Sequence, residues 1–423
     1  MIVKVSPSVP CGTVKAIASK SVAHRLLICA AFADKKTVIR CEETNKDIEA
    51  TAACLRALGV SITRNGELYE IEPISPDCVK KNATLPCGES GSTLRFLVPV
   101  VAALGADASF EMEGRLPVRP LSPLREELEA HGVTFSNVGS SPMRVSGRLE
   151  GSSFSIAGNV SSQFVSGLLF ALTLLPHPAT LAVTEKIESA PYLDITADAL
   201  SHFGASPEKL GNVYKVTASR RLISPSQIDV EGDWSNAAFP LCLGVMGKGQ
   251  VTVTGLNPSS FQGDAKIIEL IKAFGGDVTT TADGKGYVAR TSRLHGISID
   301  ATQIPDLVPI LATLASVAEG QTVIYGASRL RLKESDRLES VRATLSALGA
   351  DVRETDDGLI INGCASLSGG SVSSFNDHRI AMSAAVAACV CTEDVIIDGA
   401  EATAKSYPSF WEDMKRLGVT ASK

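Results

Sequence analysis

The sequence predicts an α/β (α+β) chain of two domains, each built from three βαβαββ repeats, and three observations carry that expectation. A helix-like run that closes on glycine before a strand-like start recurs at Gly59, Gly132, Gly204, Gly275, Gly349 and Gly418, at steps of 73, 72, 71, 74 and 69 residues. A second series, of polar helix-start signals at Ser21, Ser92, Ser162, Ser235, Asp306 and Asp377, runs in phase with it at steps of 71, 70, 73, 71 and 71. Finally, 423 residues at 44% apolar and 20% charged composition are too many for one compact core.

Each element of the repeat has a physical reason. Glycine belongs where a helix closes in the left-handed conformation before the chain turns into a strand. The segments after the second series, such as 164–175 and 307–317, are apolar on every face and rich in small residues, as helices surrounded by other elements must be. The second helix of each unit is amphipathic, as in 265–274, and short β-branched runs at 251–254, 278–280, 287–289 and 297–299 supply the strands. Three units make about 215 residues, an ordinary domain size, so the chain is expected to divide near Ser226. The sixth unit stops at Val419 before its final strands, while residues 2–5 form a strand left over before the first. The N-terminal strand is therefore expected to join the C-terminal half, giving domains 14–226 and 1–13 plus 227–423.

Composition excludes several classes. A net charge of -6 offers no basic footprint for nucleic acid or for an anionic membrane surface. Ten cysteines include no CxxC pair and there are only six histidines, which reads as reduced, packed thiols and not as a disulfide frame or a zinc site. The longest apolar runs fall short of the ~20 residues that span a bilayer, and the first residues lack a signal-peptide core. A cytoplasmic protein working as a monomer on small molecules is expected, with no metal and no organic cofactor.

The unusual polar chemistry gathers at the starts of the buried helices: Lys20-Ser21 with Arg25, Gly91-Ser92, Ser161-Ser162-Gln163, Asp306, and Asn376-Asp377-His378-Arg379. Helix N-termini carry about half a positive charge and free N–H donors, which suits phosphates and carboxylates. Lys20 opposes that field, and a bound anion is the expected reason. A further stretch, Leu330 to Leu338, crowds Arg331, Lys333 and Arg337 beside Glu334 and Asp336; alone it reads as a solvated helix start capped by Ser335.

Together these motifs, with Ser189-Ala190-Pro191-Tyr192 and Lys333-Glu334-Ser335-Asp336-Arg337, resemble the 3-phosphoshikimate 1-carboxyvinyltransferase (EPSP synthase) family from residue 20 to about 410. The resemblance implies two inside-out α/β barrels with the active site in the interdomain cleft. It implies transfer of the enolpyruvyl group of phosphoenolpyruvate to the 5-hydroxyl of shikimate 3-phosphate, in the shikimate pathway to chorismate and the aromatic amino acids. Lys20, Ser21, Arg25, Ser161, Ser162, Gln163, Ser189, Asp306 and Lys333 would hold shikimate 3-phosphate. Lys20, Gly91, Arg119, Gln163, Arg337, Arg379 and Lys405 would hold phosphoenolpyruvate, and Asp306, Glu334 and Lys333 would be catalytic. Phosphoenolpyruvate is a poor electrophile until its methylene carbon is protonated, so an acid, Glu334, must sit beside cations that neutralise its charges, while Asp306 or Lys333 takes the hydroxyl proton. Two positions depart from the family pattern: Glu89, expected to point away or to pair with a cation such as Arg95, and Arg329. Alternatives are the sister enolpyruvyl transferase acting on UDP-N-acetylglucosamine, whose loop cysteine has no counterpart in 113–121, and a catalytically silent anion-binding protein on the same scaffold.

Overall fold

Short strands of period-two burial, such as Ile2–Val5 and Ser153–Ala157, alternate with helices buried on nearly all sides. The computed structural model describes residues 1–423, which form two compact units, 18–230 and 1–17 with 231–423. Six four-stranded sheets are present, three to a unit, each with one parallel pair followed by two antiparallel neighbours.

In the unit 18–230 the middle repeat shows the plan. Strand Ala83–Gly88 lies parallel to Ala108–Met112, the helix Gly91–Leu104 connects them, and the helix Leu124–Ala130 leads to the antiparallel strands Val133–Ser136 and Met143–Gly147. The connecting helices Gly91–Leu104 and Ser162–Thr173 pack together in the core. Gly167 is required at their crossing, because a Cβ there would run into the carbonyl oxygen of Arg95. Phe164, Phe170 and Phe96 fill the surrounding space, each burial stabilising by about 1.5–3 kcal/mol. In the other unit the helices Trp234–Met246, Val308–Ala315 and His378–Ala388 pack on one another in the same way.

Ile2–Val5 pairs antiparallel with Val395–Asp398, in the unit of the C-terminal half. The chain does not stop short at Val419: Ala421–Ser422 forms a last short strand beside Lys4 and Val5. An exchange of strands that the repeat phasing does not reveal accompanies the two crossings. Cys11–Lys15 runs parallel to Gln250–Thr254, and Gln227–Asp229 runs parallel to Thr37–Arg40, so each unit's first repeat takes its opening strand from a distant part of the chain. These pairings move the joints from the expected 13/14 and 226/227 to 17/18 and 230/231.

Candidate functional site

Helix starts in the unit 18–230 bring most of its expected site residues to the ends of three core helices. Ser19 caps the helix Lys20–Ala31 by accepting from the Val22 N–H, Ser90 caps Gly91–Leu104 through the Thr93 N–H, and Ser161 caps Ser162–Thr173 through the Gln163 N–H. The caps thus lie one or two residues before the starts expected at Ser21, Ser92 and Ser162. Lys20 occupies the first helical position, and its Nζ is 2.9 Å from Asp47 Oδ2. A carboxylate of the chain itself therefore offsets the helix field at Lys20, so the expected bound anion is not needed to explain its position.

Arg25 is different. Its side chain is buried, and Nε donates to Thr196 Oγ1 at 2.8 Å, Nη1 to the Ser21 carbonyl at 2.7 Å and Nη2 to the Tyr192 carbonyl at 2.9 Å. Ser166 Oγ lies 3.4 Å from Nη2, and the guanidinium carbon sits 4.9 Å from the centroid of Phe96. No carboxylate is among these partners, and burial lowers the Arg25 pKa to about 10. A buried cation held only by neutral oxygens is an electrostatic deficit that an anion would relieve.

Gln163 donates from Nε2 to Ser92 Oγ at 2.8 Å and accepts from Arg95 Nη1 at 2.7 Å, which ties two helix starts together. The Arg119 guanidinium lies over Gly91, where a Cβ would meet Nη1 at 2.8 Å. Ser162 and Ser189 are buried, and Ser189 holds a φ of 56°, a conformation that non-glycine residues adopt at a cost of ~1–3 kcal/mol. The Glu89 carboxylate lies against Gly114, where a Cβ would meet its Oε2 at 2.5 Å, and Arg95 donates to Gln163 and the Pro120 carbonyl.

The unit 1–17 with 231–423 assembles the remaining residues around one buried guanidinium. Arg337 Nη1 donates to Asp306 Oδ1 at 2.9 Å, Nη2 to Glu334 Oε2 at 2.8 Å and Nε to Asp377 Oδ2 at 2.8 Å. Burial opposes its charge, but the carboxylates of Asp377, Glu334 and Asp306 outweigh it and raise the Arg337 pKa. Asp306 is also approached by Arg379 Nη2 at 3.3 Å and Lys333 Nζ at 3.6 Å. Asp377 caps the helix His378–Ala388, accepting from the Arg379 N–H at 2.9 Å. Ser335 does not cap the helix Arg337–Ala347. Asp336 does, accepting from the Glu339 N–H, while the Ser335 hydroxyl donates to Asp377 Oδ2 at 3.1 Å. Asp306 sits in a single 3-10 turn, Pro305–Leu307, ahead of the helix Val308–Ala315. Lys405 donates from Nζ to the Asn376 carbonyl at 2.7 Å, fixing a segment in which Phe375 and Asn376 both have positive φ, 52° and 54°. Arg329 donates from Nη2 to the Thr302 carbonyl at 3.1 Å.

Lys20, Ser21, Arg25, Gly91, Arg119, Ser161, Ser162, Gln163 and Ser189 thus belong to one unit, and Asp306, Lys333, Glu334, Arg337, Arg379 and Lys405 to the other. Within the second unit, five of those six form one contact network through Arg337 and Asp306.

Residues 7–414 match the family model described as EPSP synthase (3-phosphoshikimate 1-carboxyvinyltransferase). The chain belongs to the EPSP synthase family. It is 41% identical over 419 residues to the 3-phosphoshikimate 1-carboxyvinyltransferase of Clostridium kluyveri, covering 98% of this chain and 97% of that protein. The protein of that name from Clostridium acetobutylicum is 39% identical over 420 residues, with the same coverage. The solved EPSP synthase of Acinetobacter baumannii superposes with a TM-score of 0.82 over 100% of both chains at 28% identity.

Sequence reasoning missed two polar residues around these clusters, Asp47 and Asp264, and gave Asp377 no role beyond a helix start. Asp47 pairs with Lys20, Asp377 is the hub for Arg337, and Asp264 lies buried near Asp306 and Arg379. Asp47 follows the cap Asn45 in an ordinary amphipathic helix, Lys46–Ala57, and nothing in its spacing marks it. Asp264, inside Gln262-Gly263-Asp264, reads as part of a loop. No group of three or more His, Cys, Asp or Glu side chains is placed to hold a metal ion, and no helix is long and apolar enough to cross a membrane.

Proposed function

We propose that the chain transfers the enolpyruvyl group of phosphoenolpyruvate to the 5-hydroxyl of shikimate 3-phosphate and releases phosphate. The observation that carries this reading is the network around Arg337, where two carboxylates suited to proton transfer, Asp306 and Glu334, are held against cations suited to a phosphate and a carboxylate. Family membership over nearly the whole chain supports the same substrates.

In this reading Glu334 gives a proton to the methylene carbon of phosphoenolpyruvate. The 5-hydroxyl oxygen bonds to the adjacent carbon, and its proton passes to the Lys333–Asp306 pair. The tetrahedral adduct then loses phosphate as the new methyl group returns a proton, leaving an enol ether and inorganic phosphate. Arg119, Arg337, Arg379, Lys405, Lys20, Gln163 and the Gly91 N–H hold phosphoenolpyruvate and spread the charge that develops on it. Ser161, Ser162, Ser189 and Lys333 hold the phosphate of shikimate 3-phosphate, while Ser21, Arg25 and Asp306 hold its ring substituents. Lys20 and Gln163 border both ligands. The neutral surroundings of Arg25 favour this assignment, since the substrate carboxylate supplies the counter-charge that the protein omits. The protein works as a cytoplasmic monomer, so a gel-filtration mass near 44.3 kDa is expected.

The test is phosphate release on mixing shikimate 3-phosphate with phosphoenolpyruvate, with UDP-N-acetylglucosamine as the competing acceptor. Release only with the nucleotide sugar would reassign the chain to the sister reaction, and release with neither would leave an anion-binding protein.

A further inference from the structure

Asp264 is a buried carboxyl that the reaction above does not use. It lies in the 3-10 turn Gly263–Lys266, accepts a hydrogen bond from the Ser235 hydroxyl at Oδ2, and has no hydrogen-bond partner at Oδ1. Charged groups from three elements act on it electrostatically: Asp306 from Pro305–Leu307, Arg379 from His378–Ala388, and Asp233, which caps Trp234–Met246. The helix Trp234–Met246 itself brings no charged side chain, and the helix Ile267–Ala273 that follows keeps Glu269 and Lys272 exposed. A fully buried carboxylate with one bare oxygen would be costly unless it carries a proton or draws a cation. The cation among these groups is Arg379, which already contacts Asp306 at 3.3 Å.

We propose that Asp264 is a positioning residue that decides how much of the Arg379 charge is offered to phosphoenolpyruvate. Protonated, it leaves the guanidinium to Asp306 and the incoming anion; ionised, it competes with the anion for that guanidinium. The inference rests on the assignment of Arg379 to phosphoenolpyruvate made above. Burial first, and then the charge of Asp306, push the Asp264 pKa up to about 7, against the opposing pull of Arg379 and Ser235. The group is therefore neutral below neutrality and acquires its charge as pH rises through about 7. Weak anion binding is accordingly an alkaline property.

The experiment measures KM for phosphoenolpyruvate and kcat from about pH 6 to about pH 8.5 for the full chain, Asp264→Asn and Asp264→Ala. The wild-type KM should rise about tenfold more than that of Asp264→Asn over this range, with a much smaller divergence in kcat. The second ionisation of the substrate phosphates is common to all three proteins and cancels in the comparison. Asp264→Ala, which removes the charge but also the acceptor for Ser235, should share the KM profile of Asp264→Asn, which separates charge from packing. Parallel KM profiles in wild type and both variants would overturn the proposal. Infrared titration of the wild type gives a reading independent of turnover: a protonated-carboxyl band lost near neutral pH and missing from Asp264→Ala supports the proposal, and no such band at about pH 6 refutes it. Failure of the wild type to release phosphate at any pH would instead count against the assigned reaction, and the same pH comparison would then be made on phosphoenolpyruvate binding by calorimetry.

Discussion

Replacing Asp377 with Asn isolates the charge at the centre of the Arg337 network. The Arg337 side chain is 2% exposed and that of Asp377 0%, and they meet through Nε–Oδ2 at 2.8 Å and Nη2–Oδ1 at 3.3 Å. Removing one partner of a buried ion pair destabilises by about 3–5 kcal/mol, because the other charge stays desolvated. Arg337 keeps Asp306 and Glu334, so about 3 kcal/mol, the lower end, is expected for Asp377→Asn. Asn still accepts the Arg379 N–H as a helix cap, whereas Ala does not. Asp377→Ala is therefore expected to lose about 1 kcal/mol more.

Both tryptophans, Trp234 and Trp411, belong to the unit that contains Asp377. Urea unfolding followed by tryptophan fluorescence thus reports on that unit. An unfolding free energy for Asp377→Asn within about 0.5 kcal/mol of wild type, or no difference between the Asn and Ala variants, would refute the account. The pH dependence supplies a second check. Burial opposes the Asp377 charge, but Arg337 and then His378 outweigh it and hold the carboxyl below its usual range. Its stabilisation is present above the unfolded carboxylate value near 4 and is lost as pH falls through the lower folded value. In Asp377→Asn that share of acid sensitivity should be missing.

Other expected outcomes concern the site itself. Glu334→Gln and Asp306→Ala should each lower kcat by about 10²–10⁴-fold with far smaller changes in KM, measured by steady-state phosphate release; wild-type kcat in either would remove that residue from proton transfer. Gly91→Ala places a methyl 2.8 Å from Arg119 Nη1, the mobile end of a long side chain. The guanidinium should give way, raising KM for phosphoenolpyruvate about tenfold, the loss of one charge-assisted hydrogen bond, while thermal stability changes little. His24 is buried, hydrogen-bonded through Nδ1 to Thr51 Oγ1 at 2.6 Å, and held well below its usual pKa by burial and then by Lys20 and Arg25. The unfolded chain therefore takes up a proton that the folded chain refuses. Protection of the helix Lys20–Ala31 against hydrogen exchange should weaken as pH falls below about 6.5, and an unchanged protection factor at pH 5.5 would contradict it.

The repeat was legible because a helix closing on glycine, and a polar residue opening an apolar helix, are local necessities that recur whatever the neighbours are. The exchange of Cys11–Lys15 and Gln227–Asp229 was not, since a three- to five-residue strand carries no mark of a parallel partner more than 180 residues away. The candidate site drew attention where a residue conflicts with its local setting, as Lys20 does at a helix start, although the fold answers that conflict with Asp47 and not with a bound anion. It was illegible where the setting is ordinary and the significance comes from contact. Asp377 reads as a plain cap, and only the fold turns its second oxygen toward Arg337. Ser335 misled for the converse reason: Asp336, one residue on, caps the helix as well as serine would and leaves the hydroxyl for Asp377.

Arg25 and Arg337 are equally hidden from water, yet the fold treats their charges in opposite ways. Arg337 meets three carboxylates, which offset much of its charge within the protein while it fixes Asp306 and Glu334 in place. Arg25 meets two hydroxyls, two carbonyl oxygens and an aromatic face, which orient the guanidinium without cancelling it. An incoming anion gains from a cation only the part of its charge that the protein has left uncompensated. The unit 18–230 therefore holds a guanidinium ready for an anion. On the assignment proposed above, the carboxylates that the other unit gathers around Arg337 must be outweighed by Lys333, Arg379 and Lys405 before a second anion can settle there.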